Sequence, residues 1–270
     1  MIADQQNNQS VAISISEADD MHIHGFTDLH LRDAMTILAS HLLSQQLCLV
    51  YGGDLRANGF TKLLFELVAR YQNSQRANPR ATFIKNCIAW PVHINMPFAK
   101  LQALEEELRH IAQIQLFDLD GKKLSLNVRK ASTTHKPCEN EWIVGLSSMR
   151  TTISKSVNAQ IVLGGRTENY KGALPGIAEE ALLAIKNDVP LYLLGGFGGC
   201  TLDICETLKI TAPWRQEKRA WAGKREFLNY SEQSLNNGLT TSENRLLSST
   251  PYINQAIPLI LTGLKRLKVI

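Results

Sequence analysis

Apolar residues along the chain alternate between two patterns: short uninterrupted runs, and longer stretches in which they recur at helical spacing. The first run, Val11–Ser16, is rich in β-formers and breaks into the polar Glu17-Ala-Asp-Asp, which predicts a strand ending in a loop. Leu29–Gln46 then places Leu31, Ala34, Met35, Leu38 and Leu42 on one helical face. Cys48–Tyr51 predicts a buried strand stopped by Gly52-Gly53, and Phe60–Tyr71 a helix with Phe60, Leu64, Leu67 and Val68 turned inward. A strand over Phe83–Val92 interrupted by Pro91, a helix over Ala99–Ala112 and a strand over Ile114–Leu119 follow. Asp120–Asn140, rich in Lys, Ser and Thr with Gly121 and Pro137, predicts an irregular flap or insertion. Order resumes with a helix over Glu141–Val157, a strand Gln160–Leu163, a helix Ile177–Asn187 and a strand Leu191–Leu194.

Strands alternate with helices and are apolar almost throughout, as in a parallel sheet covered on both faces. The expected fold is therefore α/β, a Rossmann-like, doubly wound, mainly parallel sheet with helices on both faces and a helical C-terminal extension. Residues 1–10 form a polar leader expected to be disordered, 11–210 the Rossmann-like domain, and 211–270 an extension packing on that domain or on an oligomer partner. The extension opens with Trp214, Lys218, Arg219, Trp221, Lys224 and Arg225, continues through the polar Ser231–Thr250, and ends in an amphipathic helix over Tyr252–Leu267.

At 270 residues and 44% hydrophobic content the chain can build a substantial core. A net charge of +4 with both signs interspersed demands no polyanionic partner. Five cysteines without a CxxC pair read as reduced thiols, and a leader without lysine or arginine is the opposite of a secretory signal, so a cytoplasmic protein with no membrane contact is expected. His22 and His24 share a face if they lie on a strand, but no third ligand accompanies them, so no metal is expected, and no cofactor. Cys200 reads as a small helix-opening residue rather than a nucleophile.

The candidate chemistry lies in three strand-terminal glycine pairs, Gly52-Gly53, Gly164-Gly165 and Gly195-Gly196, the last running on through Phe197-Gly198-Gly199. In open parallel sheets ligands sit beyond the carboxyl ends of strands, where helix N-termini attract phosphate and glycine lets backbone come close. No Gly-Lys-Ser or Gly-Lys-Thr closes any of these loops, which disfavours a P-loop kinase or ATPase, and none has GxGxxG spacing. Arg56, Arg150 and Arg166 lie on or near the loops, where a guanidinium can take phosphate oxygens in a bidentate fork.

Taken in order, these motifs resemble the SLOG superfamily, which unites the cytokinin-activating LOG enzymes, the DprA/Smf proteins and the sensor domains of TIR- and Sir2-linked defence effectors. The resemblance spans Val11 to Glu206. It rests on Ser14-Ile-Ser16-Glu17 after the first strand, Tyr51-Gly52-Gly53-Asp54 with Gly59-Phe60-Thr61, Met149-Arg150 upstream of Ile161-Val162-Leu163, and Gly164-Gly165 followed by Gly176-Ile177-Ala178-Glu179-Glu180. The LOG signature threonine is Ile177 here, Arg166–Pro175 intervenes between the glycine pair and Gly176, and the Arg-Lys pair is reduced to Arg150-Thr151.

The resemblance implies a ligand set of Ser16, Glu17, Gly52, Gly53, Asp54, Arg56, Gly59, Thr61, Gly164, Gly165, Arg166, Gly176, Glu179, Gly195, Gly196, Phe197 and Gly198, with Arg166 foremost. It also implies, if the chain is an enzyme, Glu180 and Arg150 as catalytic residues of a LOG-like phosphoribohydrolase or transferase acting at an N-glycosidic bond. With glycine cradles intact and the catalytic signature eroded, the reading favoured is a sensor of a nucleotide or NAD-derived messenger, such as a cyclised ADP-ribose, in anti-phage defence. That reading carries a homo-oligomer, dimer or tetramer, and a separate effector protein. Single-stranded DNA binding is the third reading, supported only by fold kinship and net charge.

Overall fold

A computed structural model describes residues 9–53, 59–74, 82–213 and 219–270. Asp54 and Arg56 of the expected ligand set, Trp214 and Lys218 of the basic stretch, and nearly all of the leader lie outside the described residues, while Ser10 already belongs to the first strand.

Seven strands form one sheet: β1 (Ser10–Ser16), β2 (Cys48–Gly52), β3 (Ile84–Ile88), β4 (Gln113–Phe117), β5 (Lys123–Leu124), β6 (Ala159–Gly164) and β7 (Leu191–Leu194), in the order β5-β4-β3-β2-β1-β6-β7. Every pairing is parallel except β4 with β5. The chain winds outward from β1 to β4, then returns to the other side of β1 with β6, so the strand order reverses between β1 and β6. That reversal opens the crevice in which sheets of this kind bind ligands.

The helices are α1 (Asp28–Ser44), α2 (Phe60–Ser74), α3 (Trp90–Ile94), α4 (Phe98–Leu108), α5 (Leu126–Ala131), α6 (Glu139–Ser154), α7 (Gly176–Lys186), α8 (Gly199–Thr207), α9 (Thr241–Ser249) and α10 (Ile253–Arg266). One core packs α1 and α2 on the face that presents Val11, Ile13, Leu49, Ile161 and Leu163, and it takes in Leu247, Ala256, Ile257, Ile260 and Leu264 of α9 and α10. The other packs α6, α7 and α8 against Ala12, Val50, Val162 and Leu193. Alternate residues of the same strands thus serve opposite cores, which is why their sequences read as continuous apolar runs. The C-terminal helices of the extension close the first core of this same chain.

Three expectations are corrected. The run over Phe83–Val92 divides, because Pro91 lacks an amide for a strand ladder but is at home in the first turn of a helix; β3 ends at Ile88 and α3 begins at Trp90. The flap over Asp120–Asn140 is instead ordered by polar contacts: Asp118 accepts hydrogen bonds from the amides of Asp120 (3.0 Å) and Lys122 (2.8 Å), β5 pairs back on β4, and Arg129 of α5 is fully buried. His22 and His24 lie on a 3₁₀ turn, Met21–His24, and not on a strand. Two further helices carry no amphipathic stripe in the sequence. α8 buries Gly199, Cys200, Thr201, Asp203, Ile204 and Cys205 around most of its circumference. α9 shows only its capping box, Thr240 with Glu243.

Candidate functional site

The crevice between β1 and β6 is overhung by α6 and α7. Arg150, one turn from the end of α6, reaches the N-terminus of α7 and is only 12% exposed. Its Nη1 donates to Glu179 and its Nε lies 3.4 Å from Glu180 Oε1. Glu179 also accepts a hydrogen bond from Ser147, one turn earlier on α6. The α7 sequence Gly-Ile-Ala-Glu-Glu puts both carboxylates in the first turns of the helix, where its dipole favours negative charge. A guanidinium in the same place is disfavoured by that dipole, so the two glutamates compensate the helix end and the arginine together.

Glycine is required beside this cation. A Cβ on Gly176 would stand 2.7 Å from Arg150 Nη2, and one on Gly172 would stand 3.1 Å from Nη1. Next to the cluster is a cleft of about 280 Å³, counted with its open mouth, lined by Ala12, Ile13, Ser14, Val50, Gly52, Arg150, Ile153, Ser154, Gln160 and Glu180. Burial pushes the Glu180 carboxyl above its ordinary range, a shift that Arg150 opposes without cancelling.

That shift has a definite consequence for stability. A carboxyl whose titration is raised by folding costs nothing below its ordinary value of 4.5 and exacts its full cost only once pH has risen through the raised folded value. Glu180 therefore takes stability away as pH rises through that window. Glu180→Gln is expected to flatten this part of the profile and to raise stability at neutral pH, as measured by urea unfolding at a series of pH values. Parallel profiles for the two proteins would contradict the assignment.

The acidic loop after β1 occupies the donors on the other side of the crevice. Glu17 pairs with Arg166 at 2.8 Å, both about half exposed. Asp19 accepts from the amide and hydroxyl of Thr167 at 3.3 Å each. Asp20, 3% exposed, accepts from the Gly199 amide at 2.8 Å, capping α8, and pairs with Arg219 at 3.1 Å and His24 at 3.3 Å. Burial alone would raise the Asp20 carboxyl, but Arg219 and the Gly199 amide outweigh it and hold it below the usual range.

Arg219 also pairs with Asp203, which accepts from Trp221 Nε1 at 2.8 Å and lies 3.6 Å from Lys224. Arg219, Trp221 and Lys224 of the basic and aromatic stretch are thus bound inward against α8, while Arg225 is exposed. Cys200, buried in the first turn of α8, has its thiol pushed well up by burial.

The expected site residues divide accordingly. Arg150, Glu179, Glu180, Gly176 and Gly52 are brought together, and Ser16, Glu17, Gly164, Gly165 and Arg166 gather at the adjoining ends of β1 and β6. Gly53, Gly59 and Thr61 flank the start of α2, with Thr61 buried. Gly164 is needed for close approach, since at φ +68° its Cβ would fall 2.3 Å from the Ser16 carbonyl oxygen. The third glycine loop packs closely against other backbone: a Cβ on Gly196 would fall 2.0 Å from the Thr250 carbonyl oxygen and one on Gly195 2.5 Å from that of Ser248. Phe197 is buried, stacking on Phe26 at 5.2 Å, and Gly198 abuts Asp20 and His24. That loop receives the chain after α9 and does not line the cleft. Ser14, Ser147, Gln160 and Gly172, which do meet the site, carried no sequence signal of it beyond the position of Ser14 near the end of β1.

The chain is thus a doubly wound Rossmann-like domain with a buried arginine and two glutamates at its switch point. A family model described as SLOG cluster2 matches residues 5–233, and the chain belongs to that family. The family match suggests a nucleotide-related ligand-binding or LOG-like function. No curated protein matches it. Among the described residues, no helix is long and apolar enough to cross a membrane.

Proposed function

We propose that this chain is a sensor that binds a nucleotide or NAD-derived ligand, such as a messenger of the cyclic ADP-ribose type, with a phosphate directed at Arg150. The observation that carries the reading is the pairing of Arg150 with Glu179 at the N-terminus of α7. A ligand phosphate can offer the guanidinium a bidentate partner in place of the single contact that it now makes to Glu179 Oε2. Exchange of one for the other frees a carboxylate that also holds Ser147, and so alters the contact between α6 and α7. Differential partnering of this kind is what lets a ligand shift a conformational equilibrium. The same reading assigns the chain to a cytoplasmic homo-oligomer that signals to a separate effector in anti-phage defence.

A hydrolase acting at an N-glycosidic bond is the second reading, favoured by the raised carboxyl of Glu180 beside Arg150, a pairing suited to general acid–base work. Incubation of the pure protein with AMP, NAD, ADP-ribose and cyclic ADP-ribose isomers, followed by both thermal shift and product formation, separates the two. Stabilisation without turnover is the expected result. Turnover lost in Glu180→Gln would establish the hydrolase instead, and a protein that neither responds to nor consumes any of them would end both readings. Binding of single-stranded DNA would show as steep salt dependence without a small-molecule shift.

A further inference from the structure

The cleft behind Arg150 and Glu180 has a property that the phosphate reading leaves unused. The guanidinium donates through Nη1 to Glu179, while its buried Nε–H has only a long, poorly aligned contact to Glu180 Oε1 at 3.4 Å. A buried donor on a charged group that is left with so poor a contact is costly. The walls beside it are polar where a parallel sheet is ordinarily apolar. Gln160, 4% exposed on β6, donates from Nε2 to Ser14 Oγ at 2.7 Å on the neighbouring β1. With its oxygen accepting from Gln160, the Ser14 hydroxyl has its own proton free to turn toward Glu180, with which it interacts. The enclosed end of the cleft holds about one water.

We infer that this enclosed end is a binding site for a single structural water, held by Arg150 Nε–H, the Glu180 carboxylate and the Ser14 hydroxyl, with Gln160 as the positioning residue for Ser14. The water accepts from Arg150 Nε–H and donates to the Glu180 carboxylate, supplementing their long 3.4 Å ion pair. Its second proton goes to the remaining lone pair of Ser14 Oγ, a third partner within the number that buried waters ordinarily make. By hydrogen-bonding the charged form of Glu180, the assembly opposes the burial that would otherwise neutralise it. Gln160 acts only through Ser14.

The inference rests on the same site as the proposed function but requires no ligand, so it can fail or stand apart from that reading. A high-resolution crystal structure of the full chain is expected to show a density peak within hydrogen-bonding distance of both Arg150 Nε and Ser14 Oγ; an empty cleft end overturns the site. Ser14→Val fills that end with a methyl group, and Gln160→Met removes the donor that orients Ser14. Each is expected to raise the titration midpoint of Glu180, followed by NMR of ¹³C-labelled glutamate, by roughly one pH unit, with the double variant no higher than Ser14→Val alone. An unchanged midpoint in both single variants, or additive shifts, overturns the assigned roles. Should Ser14→Val fail to fold, Gln160→Met alone decides the point, since it leaves the apolar packing of β1 intact.

Discussion

Replacing Arg150 by alanine is expected to destabilise the ligand-free protein by about 3–5 kcal/mol at neutral pH, and to abolish its response to phosphate-bearing ligands. The arginine, Glu179 and Glu180 are 12%, 10% and 17% exposed, so all three charges are largely removed from water. Removing the single cation leaves two neighbouring carboxylates facing each other without compensation, together with the Ser147 hydroxyl that is oriented by one of them. The magnitude reflects the uncompensated charge more than the worth of the ion pairs, because exposed pairs of the same kind contribute little. Its pH dependence follows from the same cause. Glu180 already titrates high, and loss of Arg150 removes the attraction that opposes burial, so protonation relieves the variant at a higher pH than it does the parent. The deficit should therefore shrink as pH falls from 7 toward 5. Urea unfolding at the two pH values measures this, and a variant as stable as the parent at pH 7 would mean that the cluster is solvated after all.

Arg129→Met is expected to cost about 3 kcal/mol or more by the same measurement, at a place remote from the cleft. Arg129 is fully buried, yet among the described residues it pairs with no carboxylate. Its donors go to carbonyl oxygens, His93 from Nε at 3.3 Å and from Nη2 at 2.9 Å, Ile94 at 3.3 Å, Met96 at 2.8 Å and Ser132 from Nη1 at 3.2 Å, and to the Thr134 hydroxyl at 3.4 Å. Three of these residues lie at or just beyond the end of α3, where carbonyls lack helical partners. The guanidinium thus serves as the C-terminal cap of α3 and ties α5 to it. Methionine matches the stem but leaves the carbonyls unpaired inside the protein, and lysine, lacking the planar fork, should restore only part of the loss. Hydrogen exchange in α5 should accelerate along with it. A loss below about 1 kcal/mol would show that the carbonyls find other partners.

Both effects bear on what could be read from the sequence. The two carboxylates were legible as neighbours of the glycine at the start of α7, and Arg150 as an arginine upstream of β6, through the order shared with LOG enzymes. Their contact, across about 30 residues of chain, follows from α6 and α7 packing side by side on one face of the sheet. Arg129 was legible only as one more basic residue in a polar loop, because hydropathy counts an arginine as surface whether or not six hydrogen bonds await it inside. The glycine pairs divided for a related reason. Glycine admits a phosphate and glycine admits another stretch of backbone for the same lack of a Cβ, so Gly196 against Thr250 and a phosphate cradle have the same appearance in a string of letters.

By itself, then, the sequence determined the alternation of strands and helices and the doubly wound parallel sheet. These follow from periodicity and from chain-local limits on backbone conformation, which act over a few residues at a time. Only the tertiary structure decided that Arg150 lies between Glu179 and Glu180, that Asp20 caps α8, that Gln160 orients Ser14, and that the third glycine loop receives the chain after α9. Each of these joins residues distant in sequence through the geometry of packed elements, and the cost of leaving a buried charge or donor without a partner is what selects the partner.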